Sequence, residues 1–146
     1  EALNEQRDLP PLVVAGADGW GNISVAASDK VKFLGHVEDR YLSGLYAAAS
    51  VMAYPSLWEG FGLPVLEAMA QGTPVVTSES ISTEEVAGGA AVLVDPRSAE
   101  SIRNGIRTAL GDREKLTQRG IERVAQATWQ KTAQLTAEVY DEVIAG

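Results

Sequence analysis

Short runs of β-branched and other apolar residues alternate with segments of helical periodicity along most of the chain. This alternation predicts strands joined by helices, and therefore a parallel sheet rather than a series of hairpins. Several of the runs end in Gly, Pro or Asp, as strands do where the chain turns into a loop. The predicted strands cover residues 11–16, 31–35, 50–55, 74–78 and 90–95.

Helical patterns fill most of the gaps between these strands. Apolar residues at helical spacing predict helices over 38–49, 63–71 and part of 80–89, and Pro64 marks the start of the second. From residue 98 the pattern stays helical and predicts three more helices, over 98–110, 112–126 and 129–144.

The last of these helices has two further features. Thr128 has the residue type of an N-cap. The helix also carries a mostly apolar stripe, made of Trp129, Leu135, Val139 and Val143. The whole pattern predicts a single α/β layer with a helical C-terminal extension.

The amino-acid composition excludes several kinds of site and disfavours several kinds of partner. The 146 residues, 45% of them hydrophobic, suit one globular domain, and the formal net charge of −8 makes nucleic acid or an anionic membrane surface an unsuitable main partner. The chain has no cysteine, which excludes disulfides, zinc–thiolate sites and cysteine nucleophiles. No apolar run reaches the ~18 residues of a membrane span. We therefore expect a cytoplasmic domain, peripheral to the membrane at most.

The first eleven residues have the pattern of the end of an amphipathic helix that lacks its beginning, because no cap precedes Leu3 and two prolines close the segment. We therefore expect residues 1–146 to be a single domain cut from a longer protein.

The stretch "EGFGLPVLE" places two glutamates, Glu59 and Glu67, on either side of seven residues that join a predicted strand to a predicted helix. Gly60 and Gly62 allow a tight turn or a close approach to a ligand. The helix start offers unpaired backbone N–H groups and a partial positive charge, which suit a phosphate.

Two interpretations of this stretch remain open from the residues alone. Pro and Gly at a helix boundary and a glutamate in an early turn are ordinary structural features. Alternatively, two carboxylates around a row of amides would hold the opposite ends of one phosphorylated, polyhydroxylated molecule, such as a nucleotide sugar.

Four segments together resemble one known family. They are "FLGHV" (33–37), "YPSLWEGFGLPVLEAMAQGTPVVTS" (54–78), "EEVAGGAAVLVDP" (84–96) and "TWQKTAQLTAEVY" (128–140). In this order they are similar to the C-terminal, donor-binding half of retaining glycosyltransferases of group 1, or family 4, which have the GT-B fold. The resemblance implies a Rossmann-like parallel sheet flanked by helices.

The resemblance implies roles for the two glutamates and the loop between them. The first glutamate of the family signature contacts the hydroxyls of the transferred sugar, which makes Glu59 the candidate catalytic residue. The second holds ribose hydroxyls, which corresponds to Glu67. The loop residues of the donor sugar and diphosphate site are Gly60, Phe61, Gly62 and Leu63.

Weaker assignments follow for two other loops. The family's nucleobase loop corresponds to His36, Val37 and Asp39, and Gly16 lies at the strand end that faces the diphosphate. Trp58 is expected to pack under its loop rather than to form a wall of the donor pocket. No metal site and no cofactor are expected, since the substrate itself is a nucleoside diphosphate sugar such as GDP-mannose or UDP-glucose.

The chain departs from the family pattern in one important respect. The family's donor domain normally begins with a strand, a Gly-Arg loop and a lysine, whose cations neutralise the diphosphate, and no such segment precedes Glu1. Arg40 and Arg97 are consecutive basic residues, so the motif between them has no Lys or Arg. We therefore expect half of a site and no appreciable transferase activity from the fragment alone.

The missing strand is the central strand 1 of the order 3-2-1-4-5-6. Its loss predicts unpaired strand edges. We expect the rest of a longer protein to cover these edges or, alternatively, two copies of the chain to pair through them as a dimer.

The function that the resemblance implies is transfer of a hexose, mannose or glucose, to a hydroxyl of a glycan, lipid or small molecule held by a missing N-terminal domain. The alternatives are a non-catalytic module that binds nucleotide sugars, and a GT-B relative with other chemistry, such as a sugar-nucleotide epimerase or a phosphorylase.

Overall fold

Five strands and six helices alternate as the pattern predicts in the computed structural model, which describes residues 9–16 and 30–146. Every predicted strand and helix is confirmed, with ends that differ by a few residues. The predicted helix end at residues 1–8 lies outside the described residues. The elements are β1 (Leu12–Ala15), β2 (Val31–Gly35), α1 (Asp39–Ala48), β3 (Met52–Tyr54), α2 (Leu63–Ala70), β4 (Val75–Ser78), α3 (Ile81–Ala87), β5 (Val92–Val94), α4 (Ala99–Gly111), α5 (Arg113–Gln126) and α6 (Trp129–Ala145).

The strands of the described residues form two parallel sheets instead of one. β1 pairs with β2, and β3, β4 and β5 pair in that order. In the order 3-2-1-4-5-6, removal of strand 1 leaves 3-2 on one side and 4-5-6 on the other. The observed division matches this split, and the prediction of a Rossmann-like parallel sheet flanked by helices is confirmed.

Hydrogen bonding shows which edges of the two sheets stay unpaired. The Met52 N–H donates to the carbonyl of Pro74 at 2.9 Å, and the Leu12 N–H donates to the carbonyl of Lys30 at 2.8 Å. Because backbone groups of successive strand residues point in opposite directions, Ala53 of β3 and Val13 of β1 direct theirs away from these partners. Among residues 9–16 and 30–146, each sheet therefore has an edge without a partner strand on the side of the division. Pairing of two copies through these edges stays a prediction.

The main core lies between α2, β4 and α3. All four residues of β4 are buried, as expected for a central strand covered on both faces. From α2, Val65 and Met69 pack against Val75, and Val86 and Ala87 of α3 complete the cluster. This packing fixes the start of α2, where the signature loop ends.

Helix α4 covers the other face of the three-stranded sheet because a glycine allows it to approach closely. A Cβ atom added to Gly105 would lie 2.4 Å from Cγ1 of Val94 and 3.2 Å from Cγ1 of Val76. No real Cβ tolerates the shorter distance, so only glycine permits this spacing of helix and sheet.

The C-terminal helix α6 follows the predicted cap but leaves its apolar stripe exposed. The Lys131 N–H donates to Oγ1 of Thr128 at 3.2 Å, which confirms Thr128 as the N-cap. The helix has no buried residue, and Trp129 is 77% exposed. None of the helices in the described ranges is long and apolar enough to cross a membrane.

We predict that Gly105→Ala destabilises the domain by about 1–3 kcal/mol, because the added methyl group overpacks the contact with Val94. Urea unfolding measures the change as a lower midpoint. Gly111→Ala, on the same helix, is the matched control: its added Cβ would meet no atom within 4 Å. The control should be neutral or gain up to about 1 kcal/mol from helix propensity. Equal stability of the two variants would contradict the packing argument.

Candidate nucleotide-sugar site

The signature loop leaves the carboxyl end of β3 and enters α2 through a glycine in the left-handed conformation. Gly62 is the N-cap of α2 with φ of 100°, and it is buried. A Cβ there would lie 3.6 Å from Cγ2 of Thr83 and 3.7 Å from Cγ of Glu59. Gly62 is therefore required by the backbone conformation. Gly60 has no positive φ and open space around it, so the fold does not require glycine at that position.

Glu59 is held as an anion by the strand that precedes it. The Tyr54 hydroxyl donates a very short hydrogen bond to Oε2 of Glu59, and the Gly60 N–H donates to Oε1 at 3.1 Å. The tyrosine hydrogen bond is the largest cause and lowers the pKa of Glu59. Burial, the second cause, acts in the opposite direction, and the N–H groups of Gly60 and Phe61 lower the pKa further. Glu59 is consequently a hydrogen-bond acceptor at neutral pH.

Glu67 has an equivalent partner on another helix. It is the fifth residue of α2, and its Oε2 accepts a hydrogen bond of 3.0 Å from the hydroxyl of Tyr46 on α1. Burial, followed by the hydrogen bonds and charges of the two glutamates, raises the pKa of Tyr46 and of Tyr54 to about 12 each. Tyr46 and Tyr54 both pack against the core cluster of α2, β4 and α3, so the two tyrosine–glutamate pairs border the same core.

The two tyrosines were missed by sequence reasoning. Tyr54 is the last residue of β3, five positions before Glu59, and a tyrosine at a strand end next to a carboxylate is the signal that would have found it. Tyr46 lies 21 positions before Glu67, and no local pattern connects the two.

Buried and half-buried hydroxyl groups fix the backbone of the loop. Ser78 Oγ donates to the carbonyl of Ser56 at 2.5 Å, and Ser82 Oγ donates to the carbonyl of Glu59 at 2.8 Å. Because Ser78 ends β4 and Ser82 lies in α3, the loop is tied to two neighbouring elements. Glu59 therefore has a fixed main-chain position.

The other predicted contact residues lie at the carboxyl end of the two-stranded sheet. The Gly16 N–H donates to the carbonyl of Gly35 at 2.8 Å, so the ends of β1 and β2 are adjacent. His36 is exposed just after β2, Val37 is half-buried, and Asp39 is the first residue of α1. In the part of the chain that the structure describes, no hydrogen bond joins this group to Glu59.

The apolar residues of the loop are more exposed than expected. Trp58 is 88% exposed, so the prediction that it packs under the loop is wrong. Phe61 and Leu63 are also about half exposed. The described ranges contain no group of three His, Cys, Asp or Glu side chains that would hold a metal ion.

Tyr46 and Tyr54 both have pKa values raised to about 12. We predict that Tyr54→Phe removes about half of the tyrosinate absorbance change that these two side chains give near pH 12. Burial and then the hydrogen bond with Glu59 raise the pKa of Tyr54, so the neutral tyrosine contributes stability that is fully present below pH 10 and is lost as pH rises through 12. Loss of the donor also raises the pKa of Glu59, whose stabilising effect disappears as pH falls through its folded pKa.

Glu59→Gln provides the paired variant for this titration. This variant keeps Tyr54 but removes the negative charge of Glu59, which contributes to the raised pKa of Tyr54. The part of the absorbance change near pH 12 that belongs to Tyr54 should therefore move to lower pH. An absorbance change near pH 12 of unchanged amplitude in Tyr54→Phe would contradict the assignment.

Comparison with known proteins shows that the chain is similar to members of one family. The model of the family "Glycosyl transferases group 1" matches residues 10–126. The chain is 38% identical over 146 residues to the O-antigen chain mannosyltransferase B of Escherichia coli, an alignment that covers 93% of this chain and 38% of that protein. It is 36% identical over 125 residues to the MMP alpha-(1->4)-mannosyltransferase of Mycolicibacterium hassiacum, covering 81% of this chain and 30% of that protein.

Solved structures agree with this result. The sucrose-phosphate synthase from Thermosynechococcus elongatus superposes with a TM-score of 0.70 at 35% identity, over 81% of this chain and 31% of that one. Anabaena Alr3699/HepE in complex with UDP-glucose superposes with a TM-score of 0.77 at 24% identity, over 97% of this chain and 43% of that one, and supports the fold. The chain thus spans less than half the length of these relatives. It belongs to the group 1 glycosyltransferase family.

Proposed function

We propose that this chain is the donor-binding half of a retaining glycosyltransferase, which moves a hexose from a nucleoside diphosphate sugar to an acceptor hydroxyl. Mannose is the first candidate for the hexose, because the E. coli and M. hassiacum relatives are named mannosyltransferases. Glucose is the second, since Alr3699/HepE was solved in complex with UDP-glucose. No cofactor is part of the proposal, because the reactive bond belongs to the donor substrate.

The observation that carries this proposal is the pair of tyrosine-held glutamates around one amide-rich loop. Glu59 receives the Tyr54 hydroxyl and Glu67 receives the Tyr46 hydroxyl, so both carboxylates are positioned before a ligand arrives. Each carboxylate has further lone pairs that accept hydrogen bonds from ligand hydroxyls. The arrangement suits a molecule with hydroxyl groups at both ends.

The proposed contacts follow the chain from loop to helix. Glu59 accepts hydrogen bonds from the sugar hydroxyls and orients the hexose. The amides of Phe61, Gly62 and Leu63 serve the sugar or the diphosphate at the start of α2, where the helix dipole favours negative charge. Glu67 accepts hydrogen bonds from the ribose hydroxyls.

In the transfer step, the bond between the sugar's anomeric carbon and the diphosphate oxygen breaks, and the acceptor oxygen forms the new bond on the same face. The proton of the acceptor hydroxyl passes to the leaving diphosphate oxygen, which balances the step. Positive charge develops on the sugar ring, and negative charge on the leaving diphosphate. Glu59 has a lowered pKa, which suits an anion next to the developing positive charge. We assign it an orienting role rather than that of a covalent nucleophile.

The leaving diphosphate needs cations that the signature region does not supply. No Lys or Arg lies between Arg40 and Arg97. The proposal therefore places these cations in another part of the full-length protein, together with most of the acceptor site. The nucleobase is assigned to His36, Val37 and Asp39, and the diphosphate also approaches Gly16.

We predict that the two glutamates affect different measurements in the full-length enzyme. Glu67→Gln should weaken nucleoside diphosphate binding about tenfold or more, because a charge-assisted hydrogen bond contributes about 1.5–3 kcal/mol. Glu59→Gln should lower the transfer rate strongly and leave nucleotide affinity within about twofold. Calorimetry against GDP, UDP and ADP gives the affinities and identifies the base.

Glu142→Gln, at an exposed position on α6, is the control and should change neither quantity. Unchanged transfer after both signature substitutions would reject the proposed function. It would favour a different chemistry, or a binding module without catalysis.

We also predict that the isolated 146-residue chain transfers sugar at least ~1000-fold more slowly than the full-length enzyme, because loss of electrostatic stabilisation of a leaving group costs about this much or more. Release of GDP from GDP-mannose and of UDP from UDP-glucose measures the rate. Turnover comparable to the full-length enzyme would show that the chain contains the whole catalytic site.

A further inference from the structure

A cavity of about 400 Å³ opens at the carboxyl ends of the three strands of the β3–β4–β5 sheet. Trp58 lines it from the loop after β3, Glu79 from the end of β4, and Asp95 and Arg97 from the turn after β5. Ligands of open parallel sheets bind at this edge. The volume is in the range of small-molecule sites.

Trp58 presents its side chain to this cavity from a fixed backbone. The Ser56 hydroxyl donates to the carbonyl of Trp58 at 2.8 Å, and the carbonyl of Ser56 is held by Ser78. The side chain itself is 88% exposed. A large exposed aromatic side chain with polar neighbours is typical of a surface that a ligand covers.

The polar groups of the cavity are also placed by their backbones. The Glu79 N–H donates to the carbonyl of Val94 at 2.9 Å. The Asp95 N–H donates to Oγ of Ser101 at 3.0 Å, and the Arg97 N–H donates to Oδ1 of Asp95 at 2.8 Å. Within the described ranges, the Glu79 carboxylate and the Arg97 guanidinium make no side-chain hydrogen bond or ion pair, so both are available to a ligand.

The charged and aromatic side chains that line the cavity favour one class of ligand over others. Two carboxylates against one guanidinium disfavour a phosphate by repulsion. A metal ion has too few ligands here, since the described residues contain no group of three suitable side chains. A saccharide fits, because its hydroxyls donate to Glu79 and Asp95 and accept from Arg97, and the apolar face of its ring packs against Trp58.

The residues that line the cavity belong to other elements than the proposed nucleotide contacts. Glu67 and its partner Tyr46 belong to α2 and α1, whereas Glu79 and Asp95 follow β4 and β5. Trp58 immediately precedes Glu59. The geometry points to a subsite that binds a sugar ring of the acceptor next to the hexose held by Glu59. This inference rests on the proposed function, since it takes its acceptor from that reaction.

Saturation-transfer NMR on the 146-residue chain tests the subsite, with methyl α-mannoside and an α-linked mannose disaccharide as probes. The signal of the bound saccharide should be present with the unmodified chain and lost with Trp58→Ala and with Glu79→Gln. Trp129→Ala replaces another exposed tryptophan and should keep the signal. A saccharide signal that is absent from the unmodified chain, or that survives both cavity substitutions, would overturn the inference.

Kinetics of the full-length enzyme provide a second measurement. Trp58→Ala should raise the acceptor KM about tenfold and leave the donor KM within about twofold, because the side chain touches only the acceptor. An unchanged acceptor KM would overturn the inference about the acceptor subsite without contradicting the proposed donor site. Failure of the proposed function itself would instead appear as unchanged transfer in the Glu59 and Glu67 variants.

Discussion

Buried hydroxyl groups that must donate a hydrogen bond connect the core to the candidate site. The buried polar side chains of the described residues are Thr73, Thr77, Ser78 and Thr83, and each donates to a main-chain carbonyl at 2.5–3.1 Å. A buried hydroxyl without a partner costs about 1–3 kcal/mol. Three of the accepting carbonyls belong to Tyr46, Tyr54 and Ser56, which lie around the two glutamates. The position of the site is therefore a property of the core strand rather than of a free loop.

The candidate site combines anions with neutral donors. Tyrosine hydroxyls and backbone amides hold the carboxylates without neutralising their charge, which keeps the acceptor capacity that sugar hydroxyls need. Because tyrosines and amides take the place of cations here, a diphosphate would find no Lys or Arg between Arg40 and Arg97 to balance its charge. Under the proposed function, this domain would recognise hydroxyl groups and another part of the protein would provide cations.

The sequence predicts the elements of this fold well because they depend on local patterns. The start of α2 at Pro64, a glycine-containing turn before it and the cap at Thr128 follow from neighbouring residues. The sequence does not show that the left-handed conformation falls at Gly62 and not at Gly60. The division into a two-stranded and a three-stranded sheet matches the order 3-2-1-4-5-6, in which strands 2 and 4 lie on either side of strand 1. The pairing of Tyr46 with Glu67 depends on how α1 packs against α2, which no local pattern encodes. The exposure of Trp58 likewise depends on what lies above the loop, and residue type alone favours burial.

The division into two sheets also affects how cooperatively the domain unfolds. β1 and β2 share their hydrogen bonds with each other, and much of their apolar surface, including Phe33 and Leu34, stays exposed. Such a unit opens at a lower free energy than the core around β4, because few buried contacts resist its opening. A nucleotide sugar that reaches from the end of β2 to Glu59 would bridge the two units. Under the proposed function, part of the binding energy would appear as protection of β1 and β2 against local unfolding, and ligand affinity and the order of these two strands would be thermodynamically linked.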